Sequence, residues 1–223
     1  MHHIMQTTDY INKDIKALSP TDKISKAKKI FKELTFTHLP VVDKRTLIGL
    51  VAKSDIQTIE DDNKLISDFS YLFSSFFTYD NSNWFELLKL FALNDATIIP
   101  VLNKNLKYLG YYELTDIMHI FNNTPFLNNT GATLVVSKGV QDFSFSEIAQ
   151  IVESNNGKLL GAFIAKMDKE TVEIVVKLID QDLNNTIQSF RRYNYSILSS
   201  FHIDEYLTTL KERSDYLQKY LNI

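Results

Sequence analysis

The chain has 223 residues, 44% of them hydrophobic and 23% charged, with a formal net charge of -3. That is enough apolar material to pack one or two domains at about 100–200 residues each, and it excludes a mainly disordered chain. The acidic balance argues against a protein whose main business is neutralising nucleic-acid phosphate, and the absence of cysteine removes disulfide scaffolds, thiolate metal sites and cysteine nucleophiles.

Residues 1–10 lack the basic flank and apolar stretch of a signal peptide, and no run approaches the roughly 18 apolar residues of a membrane span. The expectation is a soluble, cytoplasmic protein with neither nucleic acid nor membrane as a partner.

In chain order, residues 22–34 place Ile24, Ala27, Phe31 and Leu34 on one stripe at helical spacing, with lysines at 23, 26, 28, 29 and 32 mostly off it. Residues 39–43 and 47–51 are short β-rich runs around the polar turn Asp43-Lys44-Arg45-Thr46. Ser54 or Asp55 then offers a cap to a helix from Ile56. The same order returns as a helix over 84–93, strands over 97–102 and 108–112 around Asn103-Lys104-Asn105, and a helix over 116–121. Leu39-Pro40-Val41-Val42 is echoed by Ile99-Pro100-Val101-Leu102 at a spacing of 60, and Gly49 with Asp55 by Gly110 with Asp116 at a spacing of 61. Each copy is too small to cover its own sheet, so the two should pack on each other. The aromatic run Phe69, Tyr71, Phe73, Phe76, Phe77 and Tyr79 is expected to form the seam between them.

After the turn-rich stretch around Pro125 and Gly131, a boundary is expected near residue 127. Beyond it the pattern predicts a strand over 133–137, a helix over 145–155 stopped by Gly157, strands over 159–165 and 172–178, a helix over 182–193 and a strand over 196–201. That order is the ferredoxin-like split unit. A last amphipathic helix is predicted over 204–221, with Leu207, Leu210, Leu217 and Leu221 near one face; it either covers its own domain or pairs subunits.

No catalytic constellation has the required spacing: there is no phosphate-cradling Gly-x-x-x-x-Gly-Lys, no Gly-x-Ser-x-Gly and no His-Glu-x-x-His. The histidines at 2, 3, 38, 119 and 202 are scattered, so neither catalytic residues nor a metal site is expected.

The repeated unit, with its hydrophobic-Pro-Val-Val-Asp strand, glycine-bearing second strand and Ser-Asp-Ile, resembles a CBS domain. Two copies joined by residues 61–75 resemble a CBS-domain pair, over about residues 10–122. The last hundred residues resemble an ACT-like domain, as in CBS–ACT proteins related to acetoin-utilisation accessory proteins. The resemblance implies an α+β chain of a first CBS motif (1–60), a second (61–127) and an ACT-like βαββαβ domain with a C-terminal helix (128–223). Where ACT domains that bind amino acids have a glycine beside the first helix, this chain has Gly139 early in the loop and none next to the helix.

The resemblance further implies a noncatalytic regulatory protein, a homodimer that senses an adenosyl-type ligand in the cleft between the CBS motifs. The cleft residues it implies are Leu18, Ser19, Thr37, Leu39 and Asp55 on one side, with Thr78, Thr97, Ile99 and Asp116 on the other. In nucleotide-binding relatives the aspartate of Gly-hydrophobic-x-Thr/Ser-x-x-Asp accepts from ribose hydroxyls, and the hydroxyl residue helps to hold phosphate. Here the aspartates are present, but the hydroxyl position holds Ala52 in one copy and Glu113 in the other. Two alternatives stay open: the aspartates serve only as helix caps, and the chain is a ligand-free dimeric interaction scaffold.

Overall fold

The computed structural model describes residues 7–15 and 17–200. The chain divides into two compact units, Met1–Asn122 and Asn123–Ile223.

In the first unit a 3₁₀ turn (Thr7–Tyr10) precedes α1 (Ile24–Glu33), β1 (His38–Asp43), β2 (Thr46–Ala52) and α2 (Lys53–Thr58). A 3₁₀ stretch, Ile66–Leu72, leads to β3 (Thr78–Tyr79), α3 (Trp84–Leu93), β4 (Ile98–Leu102), β5 (Tyr108–Glu113) and α4 (Leu114–Asn122). Helix α1 forms on the expected stripe: Ile24, Ala27 and Phe31 are buried and the lysines lie mostly toward solvent. Strands β1 and β2 join through Lys44 and Arg45, both at positive φ (46° and 71°), the left-handed pair that suits a two-residue hairpin. The β4–β5 hairpin is one residue longer and closes through Leu106 at φ 58°, with Asn103 N–H donating to Lys107 O at 2.9 Å. That extra residue is why the repeat spacing moves from 60 before the turn to 61 after it.

The two copies exchange backbone. The segment leading into the first copy lies on the second copy's strand β5: Asn12 N–H donates to Tyr111 O at 2.8 Å and Tyr111 N–H to Asn12 O at 3.0 Å. The segment leading into the second copy lies on β2 in the same way, with Leu50 and Ser74 exchanging two bonds of 2.9 Å. The repeated glycines sit under these crossings. A Cβ on Gly110 would lie 2.2 Å from Asn12 O, and one on Gly49 would lie 2.9 Å from Phe73 Cβ. The cores interlock accordingly, since Ile98 and Tyr111 join the first copy's core and Leu50 joins the second's.

Equivalent residues of the two copies also touch each other. Thr37 and Thr97 each donate a backbone N–H to the other's Oγ1 at 3.0 Å, and Thr46 bridges Lys107 near the hairpin turns. Related residues that touch must lie beside the axis relating them, so these two contacts mark a pseudo-twofold axis. The aromatic run departs from the expected seam. Phe69 and Phe73 pack on the first core and Phe76 is buried in the second, while Tyr71 (77% exposed), Phe77 and Tyr79 face solvent. The 3₁₀ stretch turns Tyr71 outward, and Phe77 and Tyr79 lie beyond it, beside and on β3.

The second unit runs α5 (Pro125–Asn128), β6 (Ala132–Gly139), α6 (Phe145–Ser154), β7 (Lys158–Met167), β8 (Thr171–Ile179), α7 (Leu183–Arg192) and β9 (Ser196–Ser200). Its sheet has the order β7-β8-β6-β9 with every neighbouring pair antiparallel, the ferredoxin-like arrangement. Ile148, Ile151 and Val152 of α6, with Ile187 and Phe190 of α7, pack on alternate residues of β6 and β8: Leu134, Val136, Ile174 and Val176. The stop of α6 differs from expectation. Asn156, at φ 60°, takes the left-handed position, and Gly157 follows it. Asn156 N–H donates to Glu153 O and Gly157 N–H to Val152 O, both at 3.0 Å, closing a Schellman motif. The helix predicted over 204–221 lies outside the described residues.

Gly110→Ala is expected to destabilise the first unit by about 1–3 kcal/mol, because the new methyl meets backbone that cannot turn aside. Gly49→Ala should cost less, since its closest contact is longer. Thermal or urea denaturation of the two variants checks the order.

Candidate functional site

The strand-to-helix corners carry the repeated aspartates. In the first copy α2 starts at Lys53 with Ala52 as its cap residue, and no side chain caps it. The expected cap by Ser54 or Asp55 is therefore not made. What fixes the start is tertiary: Lys53 N–H donates to Thr37 O at 2.8 Å, just as Leu114 N–H donates to Thr97 O at 2.9 Å in the second copy. Asp55 is left in the first turn of the helix, half-buried. Among the described residues no hydrogen bond or ion pair reaches its carboxylate, and its charge acts on His38.

His38 sits beside this corner. Its Nδ1 lies 3.0 Å from Thr37 Oγ1, and its ring meets Phe76 edge-on at 5.2 Å. Burial pulls its pKa below the ordinary histidine value, against a smaller upward pull from Asp55.

Asp116 occupies the equivalent place in the first turn of α4 but is already engaged: Asn12 Nδ2 donates to its Oδ2 at 2.7 Å. Two residues on from Asn12, Asp14 Oδ1 accepts the Tyr111 hydroxyl at 2.6 Å. Burial and this carboxylate push the Tyr111 hydroxyl far above the usual phenol range. Neither Asn12 nor Asp14 is visible as a site residue in the sequence, because their partners lie about a hundred residues away.

The remaining expected residues divide by role. Thr37 and Thr97 meet at the axis. Leu18, Leu39 and Ile99 are almost wholly enclosed in the apolar cores. Leu18 also pairs with β1, donating to Pro40 O at 2.9 Å and accepting from Val42 N–H at 2.7 Å. Thr78, its repeat equivalent, pairs with Val101 and donates to Ser82 Oγ at 2.7 Å. Ser19 Oγ lies 3.0 Å from Thr21 Oγ1, and its backbone N–H is taken by Asp22.

Among the described residues, clefts open elsewhere on this unit. One of ≈ 200 Å³ is lined by residues of both copies, among them Ile48, Gly49, Phe77 and Leu106. Another, ≈ 520 Å³, lies between the end of α2 and the 3₁₀ stretch, beside Lys64, Phe69 and Tyr71. None of the nine expected residues lines either one.

In the second unit the corner between β6 and α6 is filled from within. Lys138 Nζ lies 2.6 Å from Glu147 Oε2 and 4.4 Å from the centre of the Tyr195 ring. Although partial burial opposes it, bonds from Lys138 and Tyr195 hold the Glu147 carboxyl below its usual range. Burial pushes the Tyr195 hydroxyl up to about 12. No group of three or more potential metal ligands gathers among the described residues, and no described helix is long and apolar enough to cross a membrane.

Residues 8–61 match the family model of the CBS domain. An inosine-5'-monophosphate dehydrogenase of Methanocaldococcus jannaschii is 21% identical over 152 residues, covering 68% of this chain and 30% of that protein. The chain thus spans less than a third of that relative's length. Among solved structures, a CBS domain pair/ACT domain protein from Thermotoga maritima aligns over 52% of this chain and 96% of its own, with a TM-score of 0.47 and 18% identity. CBSX2 in complex with AMP aligns over 51% of this chain and 93% of its own, with a TM-score of 0.44 and 18% identity.

A histidine whose folded pKa is depressed stabilises the fold above its unfolded value, near 6.5, and that contribution is lost as pH falls toward the folded value. Melting temperature is therefore expected to drop between about pH 7 and pH 5. His38→Ile, which installs the residue found at the equivalent position 98, should flatten the drop. An unchanged slope in the variant would assign the effect to another group.

Proposed function

We propose that this chain, which carries a CBS-domain pair, is a noncatalytic regulatory protein that works as a homodimer and senses an adenosine-containing ligand. In this reading the ligand enters at the first strand-to-helix corner. Ser19, Thr37, Thr97 and Asp55 offer it polar atoms, while Leu18, Leu39, Thr78 and Ile99 hold the backbone around the corner in place.

The observation that supports this best is Asp55 itself. A half-buried carboxylate that caps nothing and accepts no hydrogen bond from the described chain is a ready acceptor for a cis-diol, which offers two hydroxyl donors. The stretch matched by the family model contains Thr37, Leu39 and Asp55. Ala52 withholds a hydroxyl from any phosphate placed there, and Glu113 sets a negative charge at the other corner, so the reading favours recognition of the nucleoside over the phosphate.

The C-terminal unit, ACT-like in its order of elements, is assigned no small-molecule ligand of its own. Its β6–α6 corner is spanned by the Lys138–Glu147 pair, which an incoming charged ligand would have to break. Departure from the phosphate-binding pattern at Ala52 and Glu113 favours one competing reading, a ligand-free dimeric scaffold.

Thermal shift of the full chain against adenosine, adenine nucleotides and adenosylmethionine separates the two. A ligand at 100 times its Kd adds about 2.7 kcal/mol of stability. Asp55→Asn should weaken that ligand by about tenfold or more, the worth of a charge-assisted hydrogen bond. A flat panel leaves the scaffold as the better account.

A further inference from the structure

We propose that the two aspartate corners differ in kind: residues 11–14 form a built-in strap that occupies Asp116, so the chain takes one nucleoside, at Asp55, rather than two. This rests on the reading of Asp55 as a diol acceptor, and it concerns how the duplicated site is used.

The duplication supplies its own control. Each copy's lead-in segment crosses the other copy at the same place, Asn12 against Tyr111 and Ser74 against Leu50, and the backbone bonds are nearly identical in length. The lead-ins differ in length, six positions from Asn12 to Leu18 against four from Ser74 to its repeat equivalent Thr78, and in the side chains they bring. On the second copy the strap is fastened three times over: by the backbone pair, by Asn12 Nδ2 on the Asp116 carboxylate at 2.7 Å, and by the Tyr111 hydroxyl on Asp14 at 2.6 Å. On the first copy Leu50 stands where Tyr111 would be and has no hydroxyl to give, and among the described residues no side-chain amide bonds the Asp55 carboxylate.

An amide N–H donated to a carboxylate is the same class of interaction that a sugar hydroxyl would make there. Asn12 therefore stands in for the ligand at Asp116, and an incoming diol has to displace it. The seat is shaped for the strap as well, because Gly110 leaves its backbone open where Asn12 O lies. Glu113 at the same corner, opposite Ala52 of the first copy, adds a negative charge that further disfavours an anionic competitor.

Isothermal titration of the full chain with adenosine tests this. Wild type should bind one equivalent per chain, and Asp55→Asn should abolish it. Asn12→Ala, which removes the amide and leaves the backbone pairing in place, should bind two; Asn12→Ser gives a second variant with the same expected count. Asn12→Ala combined with Asp116→Asn should return to one. Two equivalents in wild type, or one in both Asn12 variants, overturns the strap while leaving the reading of Asp55 intact. Absence of heat from wild type and from both Asn12 variants overturns the strap and that reading together.

Discussion

The structure of the first unit depends on the reciprocal crossing of two lead-in segments over two glycines. Because residues 11–14 complete the second copy and residues 73–75 complete the first, neither copy owns all of its core. Leu50 is spent on the second core and Tyr111 on the first. A chain cut between the copies would leave each with an open strand edge and a missing apolar residue, which makes the pair the natural unit of folding. The glycines follow from this. At Gly110 the Asn12 backbone lies where a Cβ would be, and at Gly49 the Phe73 side chain crowds that place, with Ser74 O behind it.

Duplication fixes the backbone twice but leaves the side chains free to diverge. Helix α1 turns Lys26, Lys29 and Lys32 toward water, whereas its equivalent α3 leaves Phe85 and Leu93 exposed at 64% and 69%. His38 answers to Ile98, Ala52 to Glu113 and Lys53 to Leu114. The result is one corner whose carboxylate accepts no bond among the described residues and which holds a partly buried histidine, and one whose carboxylate is bound by Asn12. Such divergence leaves a pseudo-symmetric scaffold with two chemically different corners.

Much of this was legible in the sequence because the constraint there is local or repeated. The paired prolines and glycines gave away the duplication, and periodicity placed nearly every strand and helix of both units. What the sequence hid were features decided by distant partners. Ser54 and Asp55 look like a cap, yet α2 begins earlier because Lys53 finds Thr37 O. Gly157 looks like the helix stop, but Asn156 tolerates the left-handed conformation and takes the place before it. Asn12 carries no local signal at all, since what makes it matter is a carboxylate 104 positions away. The run from Phe69 to Tyr79 is rich in aromatic rings throughout, and it is the local backbone, a 3₁₀ stretch to Leu72 and then β3 at Thr78–Tyr79, that separates the rings that pack from those that do not.

The axis contact gives the two corners a physical connection. Lys53 N–H, in the first turn of α2, bonds Thr37 O; Thr37 and Thr97 bond each other twice; and Thr97 O accepts from Leu114 N–H in the first turn of α4. Four hydrogen bonds thus join the turn that carries Asp55 to the turn that carries Asp116. These bonds are of ordinary length and weaken as they stretch, so a ligand that drew α2 toward itself would either stretch the chain of bonds or move α4 with it. Moving α4 means working against Asn12, which holds the far end. On the proposed reading, occupancy of the first corner and fastening of the strap would be coupled through these bonds, each changing the other's free energy by the same amount.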